Sequence, residues 1–355
     1  MRASAVLRPL AARVARRWPP HSRLFLVGEG ARWSIDRDLL ELGRLANRLG
    51  VQLADRRFLT VSNGQAAFFG SQFTLLRAPW TPLPHALGTA YFHGRPGTAG
   101  MPEFDVAYEL LQAHHAELAR VQVTHGEMHE LVLSTGIDSA KVFRIPIGVD
   151  TSLFTPQTPE LRAQARRELG LPENAFVVGS FQKDGVGWGA GDEPKLVKGP
   201  DVLLDALQVV RERRPELHVL LSGPARGYVR SGLDRLGIPY VHRELDRYEK
   251  IASLYLALDA YVVPSRQEGG PKGVLESMAS SVAVVSTRVG QAAEMIRDGE
   301  NGWLVDVEDA DALGERIALA DRSTVAAGLE TARANAYAAQ EPLWRAFFDG
   351  FVAHD

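Results

Sequence analysis

The chain of 355 residues contains no cysteine. Disulfides, thiolate nucleophiles and cysteine-ligated zinc are excluded, and an intracellular setting is expected. No apolar run reaches the ~18 residues of a bilayer-spanning helix. Neither charge dominates: Lys+Arg 40 against Asp+Glu 43 gives −3, so no global field favours nucleic acid. Lysine is scarce. Six of the 40 basic residues are lysines (Lys141, Lys183, Lys195, Lys198, Lys250, Lys272), so each is rarely filler. Acid is missing from the first 28 residues, which hold Arg2, Arg8, Arg13, Arg16, Arg17 and Arg23. Those arginines interrupt every apolar stretch, against a secretory signal. Leu7, Leu10, Val14 and Trp18 fall near helical spacing. Two readings stay open there: a basic amphipathic helix on an anionic membrane surface, or a solvated or domain-packed terminus.

What remains is ordinary globular composition, 45% hydrophobic and 23% charged. At ~150 residues per domain the length suggests two domains. In the first half, 23–28, 57–61 (RFLTV), 73–76 (FTLL), 88–94, 120–125 and 141–146 read as strands. Residues 36–49, 102–118 and 126–134 read as helices. In the second half, strands at 176–181, 218–223, 260–265, 282–287 and 302–305 alternate with helical patterns at 200–213, 226–236, 246–257, 272–280, 291–297 and 310–320. Short, continuously apolar runs between helices predict parallel sheets covered on both faces. The expectation is α/β with two Rossmann-like domains, residues 1–155 and 156–332, joined near 148–160 where Pro, Thr and Asp break the periodicity.

The densest chemistry lies in 264–305. A strand ends at Pro264, and a loop with Glu268, Gly269, Gly270 and Pro271 follows. A helix then opens with Lys272, Gly273 and Val274 in its first turn. Its N–H groups make an anion site at a strand's carboxyl end, where open α/β sheets bind ligands. Glu268 and Glu276 beside such a site suit sugar hydroxyls, since one carboxylate accepts from a vicinal diol. The plain alternative is a loop cap and a solvated helix residue.

Glu268, seven intervening residues and Glu276, then ESMAS (276–280), VAVVST (282–287) and DGENGWLV (298–305), resemble the family-4 retaining glycosyltransferases of GT-B fold. KVFRIPIGVD (141–150) with Phe154 is similar to that family's linking segment. VVGSFQKD and KLVKGPDVLLDAL, within 177–207, resemble the first strand and helix of its nucleotide domain. The resemblance covers roughly 120–332. It implies that Glu276 binds the nucleotide ribose, that Glu268 contacts the donor sugar, and that Lys198 contacts the donor diphosphate. It also implies two domains facing across a cleft, with a C-terminal helix, 333–355, returning to the first. Three departures stand out. Ser180 replaces an arginine, with Lys183 three residues on as a substitute charge. A Gly-rich stretch, 184–197, separates Lys183 from Lys198. Pro271 removes an N–H donor, and Lys272 adds a charge beside it.

In the first domain, GTAYFHGRPG (88–97) places His93 at a strand end, where the family often sets a histidine near the reacting sugar. Gly30, in LVGEGARWSIDRDLL (26–40), occupies a loop that approaches donor phosphates in the family; simple turn chemistry is the alternative. No histidine pair shows a metal geometry, and Asp309-Ala310-Asp311 reads as helix capping. The resulting expectation is a retaining hexosyltransferase using a nucleotide-diphosphate sugar. It would need no cofactor or metal, and would use His93, Glu268, Lys183, Lys198, the Lys272–Glu276 turn and Gly30. The acceptor would be a carbohydrate, a lipid-linked or a small-molecule hydroxyl. The place is expected to be cytoplasmic, with peripheral contact at the inner membrane face left open. A non-catalytic sugar-nucleotide binder, a GT-B epimerase or a sugar phosphorylase are the alternatives, and fold does not choose among them.

Overall fold

The computed structural model describes residues 22–30, 34–76 and 85–353. The basic segment before residue 22 lies outside the described residues. The chain divides into two compact units, 1–147 with 337–355, and 148–336.

The first unit holds five parallel strands in sequential order: β1 (Leu24–Val27), β2 (Ala66–Phe69), β3 (Ala86–Ala90), β4 (Leu118–Val123) and β5 (Val142–Arg144). Two expected strands are not strands. RFLTV instead holds a 3-10 turn, Arg56–Phe58, because the Asp55 side chain accepts from the Arg57 N–H at 2.9 Å and caps it. FTLL lies in the helix Gln72–Leu76, whose start is fixed by the Ser71 hydroxyl accepting from the Thr74 N–H. The pairing they were expected to supply comes from β2, whose two alanines carry little β signal. The helix Glu341–Phe348 packs in this unit. Phe347 is fully buried, in edge contact with Phe68, Phe143 and Phe351.

The second unit is a six-stranded parallel sheet, β6 (Phe176–Ser180), β7 (Leu217–Ser222), β8 (Tyr240–Arg243), β9 (Ala260–Val263), β10 (Ala283–Thr287) and β11 (Trp303–Val305). Its spatial order is β11-β10-β9-β6-β7-β8. Both faces are dry. Val177, Leu220, Tyr261 and Val284 enter one hydrophobic cluster, and their neighbours Val178, Val219, Val262 and Val285 enter the other. Alternation survives in space although every residue is apolar, which is why the strands read as unbroken runs. The edge strand β8 is half-exposed and carries no such run, so it escaped the sequence reading. No helix among the described residues is long and apolar enough to cross a membrane.

The helix Lys272–Ala279 ends on Ser281 in the left-handed region, φ 56°, with the Val282 N–H donating to the Ser277 carbonyl at 2.9 Å. A residue with a Cβ is strained there, and glycine is the usual occupant. Ser281→Gly is expected to raise the unfolding free energy by about 0.5–1 kcal/mol in denaturant titrations. A loss would show that the serine side chain contributes more than the strain removes.

Candidate functional site

The order of the second sheet reverses between β6 and β9. At such a switch point the loops leaving the carboxyl ends diverge and open a ligand crevice. Here those loops are 181–199 and 264–271, and they are stitched together. The Gln182 amide donates to the Lys198 carbonyl at 2.8 Å, and the Arg266 N–H donates to the Val197 carbonyl at 2.9 Å. Gly199, at φ +62°, permits the closest approach: a Cβ there would lie 2.0 Å from the Pro264 carbonyl oxygen. The contact sets Lys198 beside Glu268, Nζ to Oε1 2.6 Å, with both side chains partly buried. The buried Ser265 hydroxyl donates to the same oxygen at 2.9 Å.

Glu276 is 4% exposed, one turn into the helix that follows. Tyr255 donates to its Oε2 at 2.8 Å, and Tyr248 donates to Oε1. Burial, and then the carboxylate beside it, push the Tyr255 phenol well above its ordinary range, so it stays a donor. Each carboxylate oxygen thus receives one tyrosine hydroxyl. These tyrosines were not anticipated. Their i, i+7 spacing on one expected helix, 246–257, was the available signal. That helix is in fact a 3-10 turn, Tyr248–Lys250, followed by Ile251–Tyr255.

Lys272 carries its ammonium 5.9 Å from the centre of the Tyr248 ring. Gly273 packs its backbone on Tyr261, and the Val274 side chain is core. The Val274 N–H donates to the Pro271 carbonyl at 3.0 Å. Burial lowers the Lys183 pKa first, Asp184 offsets this in part, and Lys198 adds to the lowering. The two lysines therefore share one field. The second unit thus brings Lys183, Lys198, Glu268, Lys272 and Glu276 to one edge of one sheet.

Gly30 and His93 belong to the first unit. The Gly30 N–H donates to Asp36 Oδ1 at 3.2 Å, which is turn chemistry. His93 lies beyond the end of β3, half-buried, its ring stacked on Phe73 at 5.1 Å and its N–H donating to Gln72 Oε1 at 3.0 Å. Among the described residues, no group of three His, Asp or Glu side chains is placed to hold a metal ion. Asp309 caps the helix Ala310–Leu319.

Comparison with known proteins bears on the fold and on the second unit. Residues 189–320 match the model of the family glycosyl transferases group 1. A D-inositol 3-phosphate glycosyltransferase of Corynebacterium urealyticum is 30% identical over 287 residues, covering 73% of this chain and 63% of the relative. One of Actinosynnema mirum is 36% identical, covering 56% and 48%. The chain thus spans less than two thirds of the length of these relatives. Among solved structures, Anabaena HepE in complex with UDP and glucose superposes with a TM-score of 0.71 at 17% identity, covering 91% and 97%. Sucrose-phosphate synthase from Thermosynechococcus elongatus superposes at 0.63 and 20%, covering 80% and 74%. The chain has the GT-B fold of two Rossmann-like units, and its second unit is similar to the group 1 glycosyl transferases.

Proposed function

We propose that the protein is a retaining glycosyltransferase that moves a sugar from a nucleotide-diphosphate sugar to an acceptor hydroxyl. The observation that carries this is the meeting of Lys198 with Glu268 and of Glu276 with two tyrosines at the switch point of one sheet. In this reading the ribose diol bonds Glu276, the diphosphate lies on Lys198 and Lys183, and the sugar takes Glu268. The negative charge that develops on the leaving diphosphate is met by fixed ammonium groups, so electrostatic stabilisation carries the reaction without a metal ion. Lys198 releases Glu268 to the sugar when it takes the phosphate. The acceptor falls to the first unit, where His93 stands at a strand end. The names of the relatives make inositol phosphates the first acceptors to assay.

A thermal-shift panel of UDP, GDP and ADP with their glucose conjugates tests the donor. A ligand at ~100 times its dissociation constant stabilises by roughly 2.7 kcal/mol. No shift with any of them would sink the proposal. The role assignment has its own test by calorimetry. Glu276→Gln keeps the volume between the tyrosines but loses the charge. It should weaken bare nucleotide and sugar conjugate alike, by roughly 1.5–3 kcal/mol. Glu268→Gln should weaken the conjugate and leave the bare nucleotide close to wild type. The same pattern in both variants would show the assignment to be wrong even with the enzyme class right.

A further inference from the structure

A second cavity of the same unit lies at the amino ends of its central strands, the opposite end from the crevice described above. Phe176 opens β6, Asp259 immediately precedes β9 and Ala283 opens β10, and all three line it. The cavity measures about 410 Å³. Small-molecule sites fall between roughly 300 and 1,000 Å³. Phe176, Ala283, Ala320 and Val325 supply an apolar part of the lining.

The polar lining is held in place by its own bonds. Gln157, which is buried, donates through Nε2 to the Leu256 and Leu258 carbonyls at 2.8 and 3.0 Å, and its N–H donates to the Ser280 carbonyl at 3.0 Å. Thr158 caps the helix Pro159–Leu169, and both Thr158 and Pro159 line the cavity, so the positive end of that helix opens on it. The two lining carboxylates are satisfied from within. Asp259 receives Arg162, Arg166 at 2.7 Å and the Val177 N–H at 2.7 Å. Asp321 receives the Ser323 N–H at 2.8 Å and the Ser323 hydroxyl, which caps the 3-10 turn Arg322–Thr324.

Two lining arginines are not matched in this way. Arg322 donates from Nη1 to the Gln157 amide oxygen at 2.9 Å, a neutral acceptor. Arg214 donates from Nε to the Ala318 carbonyl at 2.9 Å, and its guanidinium lies 5.0 Å from the centre of the Phe176 ring. The Glu216 carboxylate is 3.8 Å from Arg214, with both side chains 39% exposed, and a pair that open to water neutralises little. Among the described residues neither guanidinium uses all five of its donors. A guanidinium presents paired N–H groups that match two oxygens of one phosphate. We propose that this cavity is a second ligand site, separate from the donor crevice, which takes a phosphate group through Arg214 and Arg322. The phosphate arrives free or on a small ester whose carbon body meets the apolar lining. This inference does not depend on the nucleotide-sugar reading above.

The test is calorimetry of the full chain with phenyl phosphate, inorganic phosphate and phenol, for wild type, Arg322→Gln, Arg214→Gln and Lys198→Ala, with circular dichroism to confirm folding. Wild type should bind phenyl phosphate with Kd below about 1 mM and show no binding of phenol. Arg322→Gln and Arg214→Gln should each weaken phenyl phosphate about tenfold, the low end for losing one charge-assisted hydrogen bond. Arg322 is exposed, so its variant should fold whatever happens at Arg214. Lys198→Ala, at the other end of the strands, should change this affinity less than about twofold. Tighter binding of phenyl phosphate than of inorganic phosphate would support the site with an ester as its occupant. Equal binding of the two would support it with free phosphate. Binding of neither, or of phenol as tightly as phenyl phosphate, would overturn the inference. So would a loss in Lys198→Ala equal to that in the arginine variants, because the phosphate would then sit in the donor crevice or at no single place.

Discussion

Lys198→Ala is expected to lower turnover by roughly a hundredfold, the usual effect of removing one preorganised group aimed at a developing charge. The ammonium is well placed for this. It reaches Glu268 at 2.6 Å, its backbone carbonyl is held by Gln182, and Gly199 fixes the turn that follows. The variant should fold, because the Lys198 side chain is partly exposed and the core beneath is formed by Val197 and Val202. Lys198→Arg should not rescue fully, since a planar fork replaces a compact point charge. Turnover of the conjugate and circular dichroism together decide the matter. Unchanged turnover with unchanged donor affinity would reduce Lys198 to a structural partner of Glu268.

The largest stability effect is expected at Asp184. Its carboxylate is wholly buried, and burial raises its pKa, opposed by the Arg226 charge. Arg226 also donates to the Ser180 and Ser222 carbonyls at 2.6 and 2.8 Å, joining the ends of β6 and β7. Removing only the acid leaves a guanidinium in a dry site without a counter-charge. Asp184→Ala should therefore lower unfolding free energy by about 3–5 kcal/mol. The double variant Asp184→Leu with Arg226→Met should recover most of that loss, because uncharged groups of similar volume carry no desolvation penalty. A double-mutant cycle in denaturant measures both. A single-variant loss below about 1 kcal/mol would mean that water reaches the pair.

The same pair accounts for a departure noted in the sequence. Ser180 stands where the resembling family carries an arginine. In the structure Arg226 arrives at that strand end from another element, donating to the Ser180 carbonyl and hydroxyl. It is spent on Asp184, so it does not replace the missing charge for a ligand. Lys183 is a further cation near that strand end, its ammonium donating to the Gly185 carbonyl at 3.2 Å.

Much of the second unit was determined by the sequence alone. Its strands other than the edge strand β8 are buried on both faces, so each had to be a short, largely apolar run. The helix Gly227–Leu236 ends where Gly237, at φ 62°, closes it, near the expected 226–236. The Glu268–Glu276 spacing is local, since one strand, one loop and one helix position both carboxylates. Tertiary structure alone decided the rest. Whether FTLL pairs in the sheet or forms a helix depended on β2 taking the place between β1 and β3. Tyr248 and Tyr255 reach Glu276 only because the chain returns over 21 residues or more to the same sheet edge. The Gly-rich stretch became a hairpin because Asp184 found Arg226, 42 residues away, in a site from which water is excluded. Local pattern specifies which face of an element is apolar. Which polar groups share a dry site depends on where distant segments pack, because a buried charge is stable only when its partner arrives with it.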